Sequence, residues 1–355
     1  MKRSISWGIL VFFLFSLFLA GCGSQSQVIP TSKQVRIFVD SVGRSVAIPN
    51  KIESLAPSGP IAQLMLYTLV PDRLSGLSSD FSDEAKQYID QKYWSLPKFG
   101  QFYGKNVSLN MEALAAAAPN VILDLGEAKK TEKKDMDALQ KQVGIPTVFI
   151  SATLDSMDEA YTMLGDLIGE PERAKVLSTY CKQTLQKADA IKEARKNREK
   201  TRVYLAMGES GLMTNAAGSL HADVLERVGA ENVADVEQVS SGGGSEVSFE
   251  QLLNWNPDVI LVDGPTLYQR ILQDSAWQEL SAVANQRVYC IPHVPYHFLN
   301  NPPSVNQILG ITWLGNLLYP EQYQLDIKQE VKRFYELFYH IKLTDSQYKT
   351  IMGIF

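Results

Sequence analysis

The sequence predicts an α/β protein of two lobes, each built on a parallel-type sheet, with a single long helix joining them. Three observations predict it. Short β-type runs alternate with helical ones along the chain. A helix–strand unit occurs twice, as "MEALAAAAPNVILDLG" from Met111 and "FEQLLNWNPDVILVDG" from Phe249. Between the copies, a run from Pro171 to Lys200 has no Gly or any further Pro to interrupt a helix. The copies align without a gap: Glu112 falls on Glu250, Leu114 on Leu252, Pro119 on Pro257 and Gly126 on Gly264. The offset is 138 residues (250 − 112). Solenoid repeats run roughly 20–50 residues, so this spacing denotes a duplicated lobe.

The chain opens on a short basic head (Lys2, Arg3), an apolar core from Trp7 to Leu19, and small residues, the pattern of an export signal. The apolar run is short for a membrane span, which needs about 20 residues. Leu19-Ala20-Gly21-Cys22 resembles the bacterial lipobox, whose Cys is acylated; an ordinary secretory signal with a chance Cys is the alternative. Residues 1–21 are therefore expected to be a lipoprotein signal peptide, and 22–34 the acylated Cys22 with its tether, since Gly23–Gln27 is polar and flexible in composition. One acyl chain holds a protein only marginally. The resemblance implies a diacyl or triacyl anchor and a body tied to the outer face of a membrane.

Residues 35–170 form the expected N-terminal lobe, with strands in "VRIFVD", "ESLAPS", "LSGLSS", "NVILDLG" and "TVFIS" and helices over Ile61–Leu69 and Asn110–Ala118. Residues 171–200 form the expected linking helix. Pro171 suits a first helical turn, and Ala174, Leu177, Cys181, Leu185, Ala188 and Ile191 make one apolar stripe. Such a helix would run roughly 40 Å; a surface helix of one larger domain is the alternative. Residues 201–320 form the expected C-terminal lobe, with strands in "RVYLAMG", "NVADV", "DVILVDG" and "RVYCIP". Residues 321–355 form a helical segment. Ile327, Val331, Phe334, Leu337, Phe338 and Ile341 share one face opposite Lys, Gln and Glu, so it should pack on the body rather than enter a membrane.

The net charge of −5 and the lack of any basic stripe exclude a nucleic-acid partner. Beyond Cys22, Cys181 and Cys290 lie far apart in core-like runs and read as buried free thiols rather than a disulfide framework.

Lipobox, duplicated lobes and linking helix together resemble the metal-chelate substrate-binding proteins of ABC importers, whose ligands include ferric siderophores, haem and cobalamin. "VDSVGRSVAIP" (Val39–Pro49) looks like that family's N-terminal hairpin, and "SLHADVLERVGAENVAD" like its C-terminal-lobe helix. "RVYCIPHVPYHFLNNPPSVNQILGITWLGNLLYP" resembles its late strand, ligand loop and following helix. The likeness covers nearly the whole mature chain. It implies two Rossmann-like lobes on a helical backbone, an extracytoplasmic lipid-anchored monomer, no intrinsic cofactor, a transported metal chelate as ligand, and an ABC permease dimer as partner. It also implies that Glu112 and Glu250 dock to that permease, one from each lobe. The plainer reading is that each carboxylate stabilises its helix start.

Ligand binding is expected in the cleft between lobes, on loops at strand ends. The candidates are Ser58, Phe81, Phe102 and Tyr103 in the first lobe and Met213, Tyr268, His293, Tyr296, His297 and Phe298 in the second. Aromatics suit a large chelate, and His293, His297 or Tyr103 would offer an axial contact to an exposed metal. A direct metal site is not expected: His293 and His297 have H-x-x-x-H spacing, but Pro295 argues against the helix that would align them. Arginines do not cluster in these loops, Arg270 being the nearest, which weighs against an anionic catecholate. Ferric siderophore stands first, haem or cobalamin next. Molybdate or tungstate on the amides of "SSGGGSE" (Ser240–Glu246), and zinc or manganese, follow. A chelatase-like or hydrolytic enzyme is the outside alternative. "GESGL" misses the G-x-S-x-G elbow, His221 has no evident triad partners, and a chelatase needs no lipid tether.

Overall fold

The computed structural model describes residues 34–102, 107–238 and 244–354. Cys22, the signal peptide and Tyr103 lie outside the described residues. The first lobe begins with an antiparallel hairpin of β1 (Val35–Val39) and β2 (Ser45–Pro49). Period-two alternation puts Phe38, Val46 and Ile48 in the core and leaves Val35, Ile37 and Val39 exposed. Arg44 anchors the hairpin: buried, it pairs with Asp40 at 2.9 Å and Asp137 at 2.7 Å and donates to the Thr147 carbonyl at 2.8 Å.

The lobe's sheet is parallel, in the order β3 (Leu55–Pro57), β4 (Val121–Gly126), β5 (Thr147–Ser151). Every residue of β4 is buried, as expected for a strand covered on both faces. Helices α1 (Pro60–Leu69), α2 (Met111–Ala117), α3 (Glu132–Val143) and α4 (Met157–Ile168) supply the cover. "LSGLSS" is not a strand. It meets the sheet through one isolated bridge, Leu74 to Leu55 of β3, and Leu77 bridges only to Lys98 outside it, because Pro71–Arg73 turns the chain just before it.

Helix α5 (Pro171–Ala194) joins the lobes, and its 24 residues span about 36 Å. Ala174, Leu177, Cys181, Leu185 and Ala188 are buried along it. It ends short of Lys200 because "RKNREK" holds no apolar side chain to pack a further turn.

The second lobe has a four-stranded parallel sheet, in the order β11 (Val288–Cys290), β10 (Val259–Val262), β6 (Arg202–Ala206), β8 (Glu231–Asn232). After β6 come the short β7 (Met213–Thr214) and helix α6 (Asp223–Arg227). Next are β8 (Glu231–Asn232), β9 (Ser245–Glu246), α7 (Phe249–Trp255), β10 (Val259–Val262), α8 (Pro265–Gln273), α9 (Ser281–Ala284) and β11 (Val288–Cys290). "NVADV" contributes one residue of strand, Asn232, since the chain leaves the sheet edge after it. Cys181 is buried and Cys290 only half-buried; both are free thiols.

Four further helices follow: α10 (Asn306–Leu318), α11 (Pro320–Tyr323), α12 (Ile327–Phe338) and α13 (Asp345–Ile351). α10 is buried almost all round, including Asn306, Gln307 and Thr312. α12 buries Val331, Phe334, Tyr335 and Phe338 and packs on both α10 and α1. One apolar core therefore runs from the first lobe (Leu64, Val121) through Leu177 and Leu185 of α5 to Val203 and Leu261 of the second.

Candidate functional site

Both sheets end towards each other. Ser58 follows β3, Glu127 follows β4, Asp263 and Gly264 follow β10, and His293 lies just beyond β11. Three adjoining cavities occupy this cleft, the place where open α/β sheets hold ligands. The largest, about 400 Å³, takes Phe81, Asp80 and Gln63 from the first lobe and Asp263, His293, Tyr296 and His297 from the second. A second of about 260 Å³ has Ser58, Asp124, Glu127 and Lys129 facing Leu220. A third of about 260 Å³ sets Glu127 opposite Asn215, His221 and Gln238.

The loop from β11 to α10 is held rigidly. Asn306 Nδ2 donates to the His297 carbonyl, Phe298 N to the Pro292 carbonyl at 2.9 Å, and Tyr335 Oη to the Val294 carbonyl. Gly310 on α10 lets the loop lie close, because a Cβ there would sit 2.1 Å from the Phe298 carbonyl oxygen. His297 Nδ1 accepts from the amides of Leu299 at 3.1 Å and Asn300 at 3.2 Å. That commits the Nδ1 lone pair, so the network assigns the proton of the neutral ring to Nε2. The axial metal contact expected of His297 is not available to this tautomer. His293 Nε2 lies 3.4 Å from Glu84 Oε2 across the cleft. Burial lowers the His297 pKa to about 4, opposed by the Asp263 carboxylate and reinforced by His293. Asp223 goes the other way: burial first, then Glu226 and Glu127, raises its carboxyl to about 6.

Of the ten candidates, the fold brings Ser58, Phe81, His293, Tyr296 and His297 to the cleft. Ser58 donates to Asp124 at its floor. Phe102 instead stacks edge-on to Phe99 in the core behind α2, and Phe298 edge-on to Trp313. Met213 belongs to β7, and Tyr268 packs on the second lobe's outer core; neither lines these three cavities. Sequence reasoning missed Asp80, Gln63, Glu127 and Asp263. Glu127 and Asp263 lie at the ends of the duplicated strands but not at matching positions, since the offset pairs Glu127 with Pro265 and Asp263 with Leu125, so the repeat did not single them out. Among the described residues no group of three His, Cys, Asp or Glu stands close enough to hold a bare metal ion.

The duplicated helices match to their ends. Asn110 and Ser248 each cap their helix by accepting from the third backbone amide, of Ala113 and Gln251. Ala118 and Asn256 end the helices in the left-handed region, at φ 43° and 40°. Glu112 and Glu250 occupy the same second helical position, exposed and without a partner among the described residues.

The chain is similar to the molybdate-binding protein MolA of Haemophilus influenzae, 25% identical over 339 residues covering 86% of this chain and 91% of that one. It is 27% identical to the high-affinity heme uptake system protein IsdE of Staphylococcus aureus over 247 residues, 66% of this chain and 78% of that one. An ABC transporter solute binding protein from Sulfurospirillum deleyianum superposes with a TM-score of 0.83 at 29% identity, covering 90% of this chain and 99% of its own. The pattern of the family described as periplasmic binding protein matches residues 69–295. Two α/β lobes on a helical backbone, a cleft at their facing strand ends and that match together place the chain in the periplasmic binding protein family, as an extracytoplasmic solute-binding protein of an ABC transporter and not an enzyme.

Proposed function

We propose that this chain is a lipid-anchored receptor that captures a neutral or cationic metal chelate, a ferric hydroxamate siderophore first, and hands it to its permease. The observation that carries the reading is the charge of the cleft. Among the described residues, Asp80, Asp124, Glu127 and Asp263 line it with Lys129 as the one cationic lining residue, and Asp80 is paired with Lys98 at 3.0 Å from outside the cavity lining. A trianionic catecholate or a free oxyanion would enter against that field, while a chelate with surplus positive charge is drawn in. Phe81 and Tyr296 give such a chelate an apolar wall. Glu112 and Glu250 serve as docking contacts; the capping role is filled by Asn110 and Ser248, which leaves both carboxylates available to cationic pockets.

A second reading rests on the relative named for molybdate and on two helix N-termini that meet at the cleft, those of α1 and α8, where the dipole favours an anion. Titration of the chain from Gly23 onward, followed by tryptophan fluorescence, separates them. The panel holds ferric hydroxamates, a ferric catecholate, haem, cyanocobalamin, molybdate and zinc. Saturable one-to-one binding of a hydroxamate chelate is the expected result; binding of molybdate or catecholate alone overturns the charge argument. For the anchor, Cys22→Ala is expected to release the protein from the membrane fraction, and retention there counts against acylation.

A further inference from the structure

His297 offers the cleft one buried proton. Its side chain is 7% exposed, Nδ1 is occupied by two backbone amides, and Nε2 has no hydrogen-bond partner. The Asp263 carboxylate oxygen is 3.5 Å away, longer than an ordinary hydrogen bond, and the Asp263 side chain is 44% exposed. An unsatisfied buried donor costs roughly 1–3 kcal/mol, so a site that keeps one gains when a ligand supplies the acceptor.

Around this proton the fold places two further sources of positive potential. α1 and α8, of ten and nine residues, both start at the cleft on a Gly N-cap followed by Pro, with no side-chain cap and no acidic residue in the first turn. Pro60, the first residue of α1, and Gly264, the N-cap of α8, line the same cavity as His297, so the positive ends of both helix dipoles lie at it. The carboxylates Asp80, paired with Lys98 at 3.0 Å, and Asp263 line the same cavity.

We infer that His297 is the specificity-determining donor of the site: its Nε2–H takes an oxygen of the bound ligand, between the N-termini of α1 and α8, and does not coordinate the metal. This rests on the reading of the chain as a chelate receptor. A hydroxamate or carboxylate oxygen already bound to a metal fits: it accepts the proton while the metal's surplus charge faces Asp263 and Asp80. Oxo oxygens share the acceptor chemistry and are separated from a chelate by experiment.

With only four histidines in the chain, imidazole nitrogen NMR of the mature protein resolves the tautomer directly. His297 is expected to carry its proton on Nε2, identified by its loss in H297Q. That proton is expected to move downfield on adding a gallium trihydroxamate, the diamagnetic counterpart of the ferric chelate. H297F is expected to bind ferric and gallium chelates about ten-fold more weakly, and alike. H297Q, which keeps an N–H near the same place, should lose less, with near-ultraviolet circular dichroism confirming its fold. The visible band of the ferric chelate should not depend on His297. A proton found on Nδ1, equal affinities for wild type and H297F, or a visible band that shifts with wild type and not with H297F would each overturn the inference. If molybdate binds and no chelate does, the chelate reading falls. The donor role then stands if molybdate moves the same proton and H297F weakens its binding. If no ligand moves that proton, the donor role falls.

Discussion

His297 and Asp223 have opposite pH dependences. The folded pKa of His297, about 4, lies below its ordinary value of 6.5 because burial disfavours the imidazolium. The folded chain thus binds fewer protons in that interval. The stability involved is complete above pH 6.5 and is lost as pH falls through 4. Asp223, raised from 3.8 to about 6, contributes stability that is complete below 3.8 and is lost as pH rises through 6. Between those limits the two oppose each other, and the wild type should vary less with pH than either group alone implies. Asp223→Asn is expected to raise the urea midpoint at about pH 7.5, with the gain gone near pH 4. An unchanged midpoint at the higher pH would show that the Asp223 carboxylate is as comfortable folded as unfolded.

At the scale of elements, the duplicated helix separates two roles that sequence alone leaves merged. Asn110→Ala and Ser248→Ala remove the caps and should each cost about 1 kcal/mol of stability while uptake persists. Glu112→Ala with Glu250→Ala should do the reverse, leaving the melting temperature and ligand affinity near wild type while transport is lost. If affinity fell in parallel with transport, docking would be the wrong role for these carboxylates. The contact between α10 and the His293–Asn301 loop makes another test. Gly310→Ala drives a methyl to within 2.1 Å of the Phe298 carbonyl, so the loop must shift. About 1–3 kcal/mol of stability should be lost, and ligand affinity with it, because His297 moves with the loop. Unchanged affinity would show that the loop's position does not govern binding.

On the scale of the whole molecule, the lobes are joined by more than α5. α12 packs on α1 and α10, Tyr67 Oη donates to the Tyr339 carbonyl at 3.4 Å, and the apolar core is continuous across the junction. Arg227 of the second lobe adds a polar tie, pairing with Asp155 beyond β5 and with Asp189 on α5 at 2.5 Å. Packed cores shift in discrete small steps and do not bend freely. The radius of gyration by small-angle scattering is therefore expected to change by no more than about 1 Å on loading, the scale of backbone change in pre-organised complexes. Arg227→Ala should widen that change and speed ligand release in stopped flow; a release rate equal to wild type would remove the tie from any part in closure.

Signals that live within one or two turns of chain are legible in the amino-acid sequence itself. The repeat of Glu112 on Glu250, the apolar stripe of α5 and the Val-Ile-Leu strands state their own geometry through spacing, because helix and strand periodicity is a property of neighbouring residues. The His293–Asn301 loop is legible as a cleft loop for the same reason: its aromatics and histidines sit among turn formers at a strand end. Which of its side chains face the cleft was decided only by packing. Phe298 turned to Trp313 while Tyr296 and His297 turned to the cavity, a choice set by α10 and α12, which come later in the chain. Asp80 and Asp263 are 183 residues apart (263 − 80) and meet only because both sheets present their carboxy ends to one space. The acidic field of that space, and the tautomer of His297, are sums over groups brought together by the fold. Periodicity carries no record of them.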